Sequence, residues 1–285
     1  MKDYKWVIYI VLYLLFSCLY SQFYQLATKK LIKAGTLTSL MQLVAGCSAI
    51  FFSLFFKFKV ANDYKVYLLL FVSIIFYAIS DRVNTDIRAN VDTAVFSTLK
   101  QFSTIFLTII GIFILKEPFN LLKIVGIILI IISNTLLFIK KGKLKLDKSV
   151  LLAIISNLAF AIAISLDANI SKSFNLFFYI AITLIGPAIC IILFEKIKLK
   201  DLKKEFSKGN KKAIIITGLC WGLSVASQLK AYQLGKLIII APLTSVVIIL
   251  NAIIGYFFFK EKEDLMKKIF CGILIIISVI LIGMK

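Results

Sequence analysis

An all-α, polytopic membrane protein is the fold class that this sequence predicts, and three observations carry the prediction. The 285 residues are 61% hydrophobic, with a mean hydropathy of +0.98, above the roughly 45–50% apolar content of soluble domains. The apolar residues fall in continuous runs of about 17 to 24, enough for a helix to cross about 30 Å of hydrocarbon. Strands of a membrane barrel would instead alternate over about ten residues. Most of the 34 Lys and Arg stand in short segments between the runs, where they meet headgroups.

Taken in order, the first span is expected over about Trp6–Ala27, followed by Lys29, Lys30 and Lys33. The second covers Thr36–Phe56. The third begins near Tyr64, is purely apolar only to Ile79, and continues with polar turns toward Arg88. Asn90 reads as the N-cap of the fourth span, with Asp92 in its first turn, where a carboxylate favours the helix dipole. That span reaches Leu115 and ends at Lys116-Glu117-Pro118; the fifth runs over Leu121–Ile139. The segment KKGKLKLDK, residues 140–148, is a basic linker. Beyond it, spans are expected at Ser149–Asn169, Phe174–Phe194, Lys212–Tyr232, Lys236–Phe259 and Met266–Met284. The stretch Glu195–Lys212 carries eight lysines and reads as a solvated loop lying on lipid headgroups. Ten spans result, as a first five-helix unit (1–139), the linker (140–148) and a second five-helix unit (149–285).

Composition also narrows the chemistry. Histidine is absent, which removes His-metal sites, Ser-His and Cys-His nucleophile pairs and a His proton relay. Cys18, Cys47, Cys190, Cys220 and Cys271 stand singly in apolar runs, without metal-ligand spacing, and read as small buried hydrophobes. No cofactor or metal is expected. The net charge of +20 belongs to loops flanking spans, so membrane lipids and not nucleic acid are the expected partners. The first apolar run lacks a small-x-small cleavage site and reads as a span. A multi-pass protein of a bacterial-type cell membrane is expected.

The halves resemble one another. Gly111-Ile-Phe-Ile-Leu-Lys-Glu117 aligns with Gly255-Tyr-Phe-Phe-Phe-Lys-Glu261, and the next spans read GIILIIIS (Gly126–Ser133) and GILIIIS (Gly272–Ser278). With an odd number of spans in each half, the repeats cross in opposite directions, an architecture of transporters with a site near the midplane. Ten helices in two such repeats, with Lys-Glu closing the fourth and ninth, resemble the EamA-type drug/metabolite transporter superfamily. Ala231-Tyr-Gln-Leu-Gly235 and Ala241-Pro242-Leu243 are similar to that family's second repeat. The first repeat departs from the pattern, with Thr98 in place of the family's proline and charges crowding Asp81–Asp92. The resemblance implies secondary transport, and termini inside the cell. Counting basic residues gives the opposite orientation, because loops facing away from the termini carry about twice as many Lys and Arg. Both arguments put the two termini on one side.

Candidate binding residues follow from helical spacing. Tyr77, Asp81, Asn84 and Arg88 share one face of the third span. The matching second-half positions are Trp221, Val225, Gln228 and Tyr232. Arg82 and Asp86, four apart, are expected to pair locally. The fourth span carries a stripe of Ser97, Gln101, Thr104 and Thr108, with Lys100 beside it about two turns inside the helix. Asn157, Asp167, Lys230 and Asn251 are the sparser polar set of the second half; Asn251 reads as a helix–helix hydrogen bond. Charge inside a bilayer is costly and persists in pairs or facing a wet cavity.

The expectation is a carrier, exporting a small polar metabolite by alternating access, with no catalytic residue; a homodimer is compatible with it. Lys100 or Arg88 would take an anionic group, Asp81 an ammonium, and Tyr77, Trp221 and Tyr232 apolar or cationic faces. Both signs together suggest a zwitterion such as an amino acid. The alternatives are a carrier of cationic amines or lipophilic cations, in which Asp81 and the aromatics dominate, and a membrane scaffold or receptor. A membrane-embedded enzyme would need a nucleophile, a metal or a carboxylate pair; without histidine or a Gly-x-Gly-Asp motif none is expected.

Overall fold

Long apolar runs become long helices because a bilayer leaves backbone groups no partner but each other. The computed structural model describes residues 5–91, 93–113, 120–140, 143–144, 148–234, 243–244, 246–259 and 265–284. The first half comprises α1 (Lys5–Thr28), α2 (Ala34–Ser53), α3 (Tyr64–Asn90), α4 (Thr93–Leu99), α5 (Phe102–Phe113) and α6 (Leu121–Phe138). The second comprises α7 (Lys148–Ile170), α8 (Leu176–Phe194), α9 (Leu199–Lys208), α10 (Lys211–Leu234), α11 (Val247–Phe259) and α12 (Leu265–Gly283). The Lys116-Glu117-Pro118 stop, Asp92, the Lys-Glu pair at 260–261, Gly235 and the Ala241-Pro242 step lie outside the described residues.

Seven helices, α1, α2, α3, α7, α8, α10 and α12, are long and apolar enough to cross a membrane, and α6 and α11 add shorter apolar stretches. Phe71, Phe113, Phe194, Phe257 and Met266 are exposed on the outside, whereas Arg88, Ser156, Asn157 and Asp167 are buried. That polarity is the reverse of what water selects, and it fits a multi-pass membrane protein.

Packing crosses between the halves. The helix α1 runs along α10, α2 along α8, α3 along α7, and α6 along α12, while α4 contacts α11. The α2–α10 crossing is close because Gly218 and Gly222, one turn apart, face α2. A Cβ on Gly218 would press on Val44 and on the Met41 carbonyl, and one on Gly222 would reach the Ala45 carbonyl at 3.1 Å. Small residues at this spacing let membrane helices approach where lipid gives no hydrophobic drive. Around the crossing, Tyr24, Leu37, Met41, Ala45, Ile180, Leu184, Ile214 and Trp221 form one buried cluster from α1, α2, α8 and α10.

Three expectations are corrected and one is refined. Asn90 is the last residue of α3, with its side chain donating to the Asp86 carbonyl at 2.7 Å, and not the cap of the next helix. The fourth span is not continuous: α4 stops at Leu99 and α5 starts at Phe102, so Lys100 stands in a break instead of inside a helix. The basic stretch after α8 is not a plain loop but contains α9, whose Asp201 carboxylate accepts from the Lys198 N–H at 2.9 Å. The basic linker includes a two-residue antiparallel pairing of Ile139–Lys140 with Lys143–Leu144.

Candidate functional site

The break in the fourth span organises the polar interior. Interrupting a helix frees carbonyls, which a bilayer cannot hydrate, so side chains must serve them. Asn157 of α7 donates to the Leu99 carbonyl at 3.1 Å and to its own Ala153 carbonyl at 2.7 Å. Ser103 Oγ donates to the Lys100 carbonyl at 2.7 Å. Across the break, Asn251 of α11 donates to Ser97 Oγ at 2.9 Å, and Gln22 of α1 donates to the Asn251 carbonyl oxygens at 3.2 and 3.3 Å. Asn251 is thus the helix–helix hydrogen bond expected of it, and Ser97 serves the same seam.

Lys100 itself turns its ammonium onto the ring of Phe160 of α7, 3.6 Å from the centroid. Facing this region from α3 is Asp81, which accepts from Gln42 Nε2 of α2 at 2.8 Å. Asp81 and Lys100 interact electrostatically without forming a contact ion pair. At about 1.5 Å per residue, Gln42, Asp81 and Lys100 stand about 10–14 Å inside their helices' common end, near the middle of a ~30 Å hydrocarbon layer.

Arg88 is the most unusual side chain. It is 2% exposed, and its guanidinium lies 3.8 Å from the Phe96 centroid, 4.6 Å from that of Tyr24 and 5.2 Å from that of Tyr20. One Nη donates to the Ser21 carbonyl at 3.5 Å, and the buried Nε has no partner. Among the described residues no carboxylate touches it. Trp221 completes the aromatic wall, 5.2 Å from Tyr20 and 6.1 Å from Tyr24 between centroids. Tyr24 Oη, Thr85 and Thr38 link this wall to α2 and α3 through bonds of 2.6 and 2.5 Å, and Thr85 Oγ1 donates to the Asp81 carbonyl at 3.2 Å. Gln42 Oε1 is a second buried atom without a partner, beside Asp81.

The other predicted residues separate from this group. Tyr77 donates to Asp167 Oδ2 at 2.6 Å, and Asp167 Oδ1 also accepts from Ser73 at 2.7 Å and Tyr179 at 2.5 Å. Asp167 is therefore an enclosed carboxylate between α3, α7 and α8. Asn84 is used in the α3–α7 seam, accepting from Ser156 Oγ at 2.6 Å. Gln101 lies half-buried at the break, and Gln228 half-buried on α10. The side chains of Thr104, Thr108 and Tyr232 lie outside the described residues.

At the end of the bundle where α2 begins, Arg82 pairs with Asp86 at 2.6 Å, as its spacing predicts, and also with Glu195, the residue after α8, which Lys33 meets at 3.3 Å. Sequence reasoning missed Glu205 of α9, 1% exposed, whose two oxygens accept the Ile32 and Lys33 backbone N–H groups at 3.1 and 3.0 Å. Its placement in a basic amphipathic stretch was the available signal. It also missed Tyr20, Tyr24 and Gln42, which read as ordinary residues of apolar spans. Among the described residues no group of three or more His, Cys, Asp or Glu is placed to hold a metal. No protein-family model matches the chain, and no curated protein matches its sequence.

Proposed function

We propose that this chain is a secondary carrier of a small zwitterion, an amino acid being the simplest, working by alternating access and not as an enzyme. One observation carries the proposal: Arg88, buried and without a carboxylate partner, shares an interior with Asp81 and Lys100 at the break of the fourth span. A buried guanidinium with an unmet N–H calls for an anion, and Asp81 beside it suits an ammonium. The two lie seven residues apart on α3, about 10 Å along the axis. The reach of two side chains and a small zwitterion fills that distance. Discontinuous helices lining such a site are the usual form of membrane carriers.

The inverted-repeat reading has support in the packing. Pairing the first span with the sixth, the second with the seventh and so on exchanges the α1–α10 contact with the α7–α3 contact. It leaves the α2–α8 and α6–α12 contacts unchanged, and exchanges the α5–α7 contact with the α11–α1 contact. A two-fold relation between halves requires that pattern. Residues 243–244 are helical and α11 begins at Val247. Counted from each half's Gly…Lys-Glu, the start of α11 matches that of α5, as an EamA-like second repeat would have it. A carrier of lipophilic cations is the less favoured reading, because Arg88 and Lys100 already occupy the aromatic faces of Tyr20, Tyr24, Phe96 and Phe160.

The test is flux of labelled amino acids into proteoliposomes. Wild type moves a zwitterion, and both Asp81→Asn and Lys100→Ala lower its flux or change its selectivity. Unchanged flux and selectivity in both variants would sink the site.

A further inference from the structure

We infer that Asp167 is a reversible proton-binding site, separate from the zwitterion site and set between the two halves. The observation is a carboxylate with hydrogen-bond partners for both of its protonation states. When it is ionised, Ser73 and Tyr179 donate to Oδ1 and Tyr77 donates to Oδ2. When a proton from water binds, the carboxylic acid must itself donate, and one hydroxyl must find another acceptor. Ser73 has one: its Oγ lies 3.4 Å from the Ala163 carbonyl. Turning that hydroxyl lets Asp167 donate to Ser73 and Ser73 donate to Ala163, without stranding a buried polar atom.

The groups facing Asp167 are Ser73 and Tyr77 from α3 and Tyr179 from α8. The charges near the cage are few. Asp81 is one turn further along α3 and interacts electrostatically with Tyr77. Among the described residues, no Lys or Arg contacts the carboxylate. An ion pair would hold the acid charged; here no cation does, and the neutral donors that favour the carboxylate are opposed by burial, which favours the acid. Lys59, Asn62, Asp63, Lys172 and Ser173 line a shallow surface depression of about 370 Å³. Ala61 and Val66, also in its wall, belong to the same apolar cluster as Tyr179.

Tyr77 connects the two sites, since it bonds Asp167 and packs edge-on against Phe160, on which Lys100 rests. Proton occupancy of Asp167 thereby bears on the position of α3 relative to α7 and α8. In this part the inference rests on the carrier reading, with the proton as its driving ion; the titration itself does not.

The experiment is infrared difference spectroscopy of the protein in liposomes between neutral and acid buffer. A protonated-carboxyl band is expected in wild type, retained in Asp81→Asn and lost in Asp167→Asn. Ser73→Ala and Tyr179→Phe displace its frequency, because each removes a partner of the same carboxyl; these two variants decide the matter should Asp167→Asn fail to fold. Absence of a titrating band in wild type, or a band unmoved by both partner variants, overturns the inference. In proteoliposomes Asp167→Asn exchanges substrate but no longer concentrates it along a pH gradient. Wild type that titrates but moves no substrate contradicts the carrier reading alone.

Discussion

Two polar clusters share α3, and they are built in opposite ways. Around Asp167 both carboxylate oxygens are engaged, by three hydroxyls from two helices. Around Asp81, Arg88 and Lys100 the charges do not meet, two cations rest on aromatic rings, and Arg88 Nε and Gln42 Oε1 have no partner. A closed polar network ties helices together; an open one in a membrane interior persists because something else completes it. The comparison separates a closed cage from an open set of charges, the set that the carrier proposal assigns to a ligand.

The largest expected effect breaks the closed cluster. Asp167→Ala strands the Tyr77 and Tyr179 hydroxyls, leaves Ser73 only its long bond to the Ala163 carbonyl, and should cost about 2–4 kcal/mol, read as thermal unfolding in detergent. An unchanged melting temperature would show that the cage ties nothing. The opposite is expected of Arg88→Met. Replacing a buried cation that contacts no carboxylate with an apolar side chain of similar length should cost little stability, while flux collapses. A destabilised Arg88→Met protein would mean that its guanidinium is a structural tie, and the contrast would fail.

Smaller effects sharpen the same distinction. Asn157→Ala leaves the Leu99 carbonyl without its donor at the break, at a cost of about 1–2 kcal/mol in stability; no loss would show that the break does not depend on it. Arg82→Ala removes the partly exposed pairs with Asp86 and Glu195. With solvent screening that should change stability by less than about 1 kcal/mol. A larger loss in chemical denaturation would make that ion-pair cluster a lock between the halves.

Much of the fold was legible because hydropathy is local. The ends of α1, α3, α7, α8 and α12 fall within a few residues of the expected spans, since the length of an apolar run sets the length of a helix. The Arg82–Asp86 pair was equally readable from its spacing. The break at Lys100 was not, because its freed carbonyl is met by Asn157, 58 residues away. The Asp167 cage joins residues from three helices, and no single window contains it. Tyr77, Asp81, Asn84 and Arg88 share a helical face by their spacing, yet they serve different neighbours: Asn84 and Tyr77 face α7, Asp81 faces α2, and Arg88 enters an aromatic wall from α1 and α4. Periodicity assigns a face; it does not say which helix will meet each turn.

The most direct test is ligand-induced stabilisation of the purified protein. A ligand bound only to the folded state raises stability by about 2.7 kcal/mol at a hundredfold excess over its dissociation constant. A panel of amino acids, amines and carboxylates should contain a zwitterion that raises the melting temperature of wild type. That rise should vanish in Arg88→Met and in Asp81→Asn and persist in Asn157→Ala. A rise that survives in both charge variants, or one given by lipophilic cations and by no zwitterion, would contradict a zwitterion site between Asp81 and Arg88.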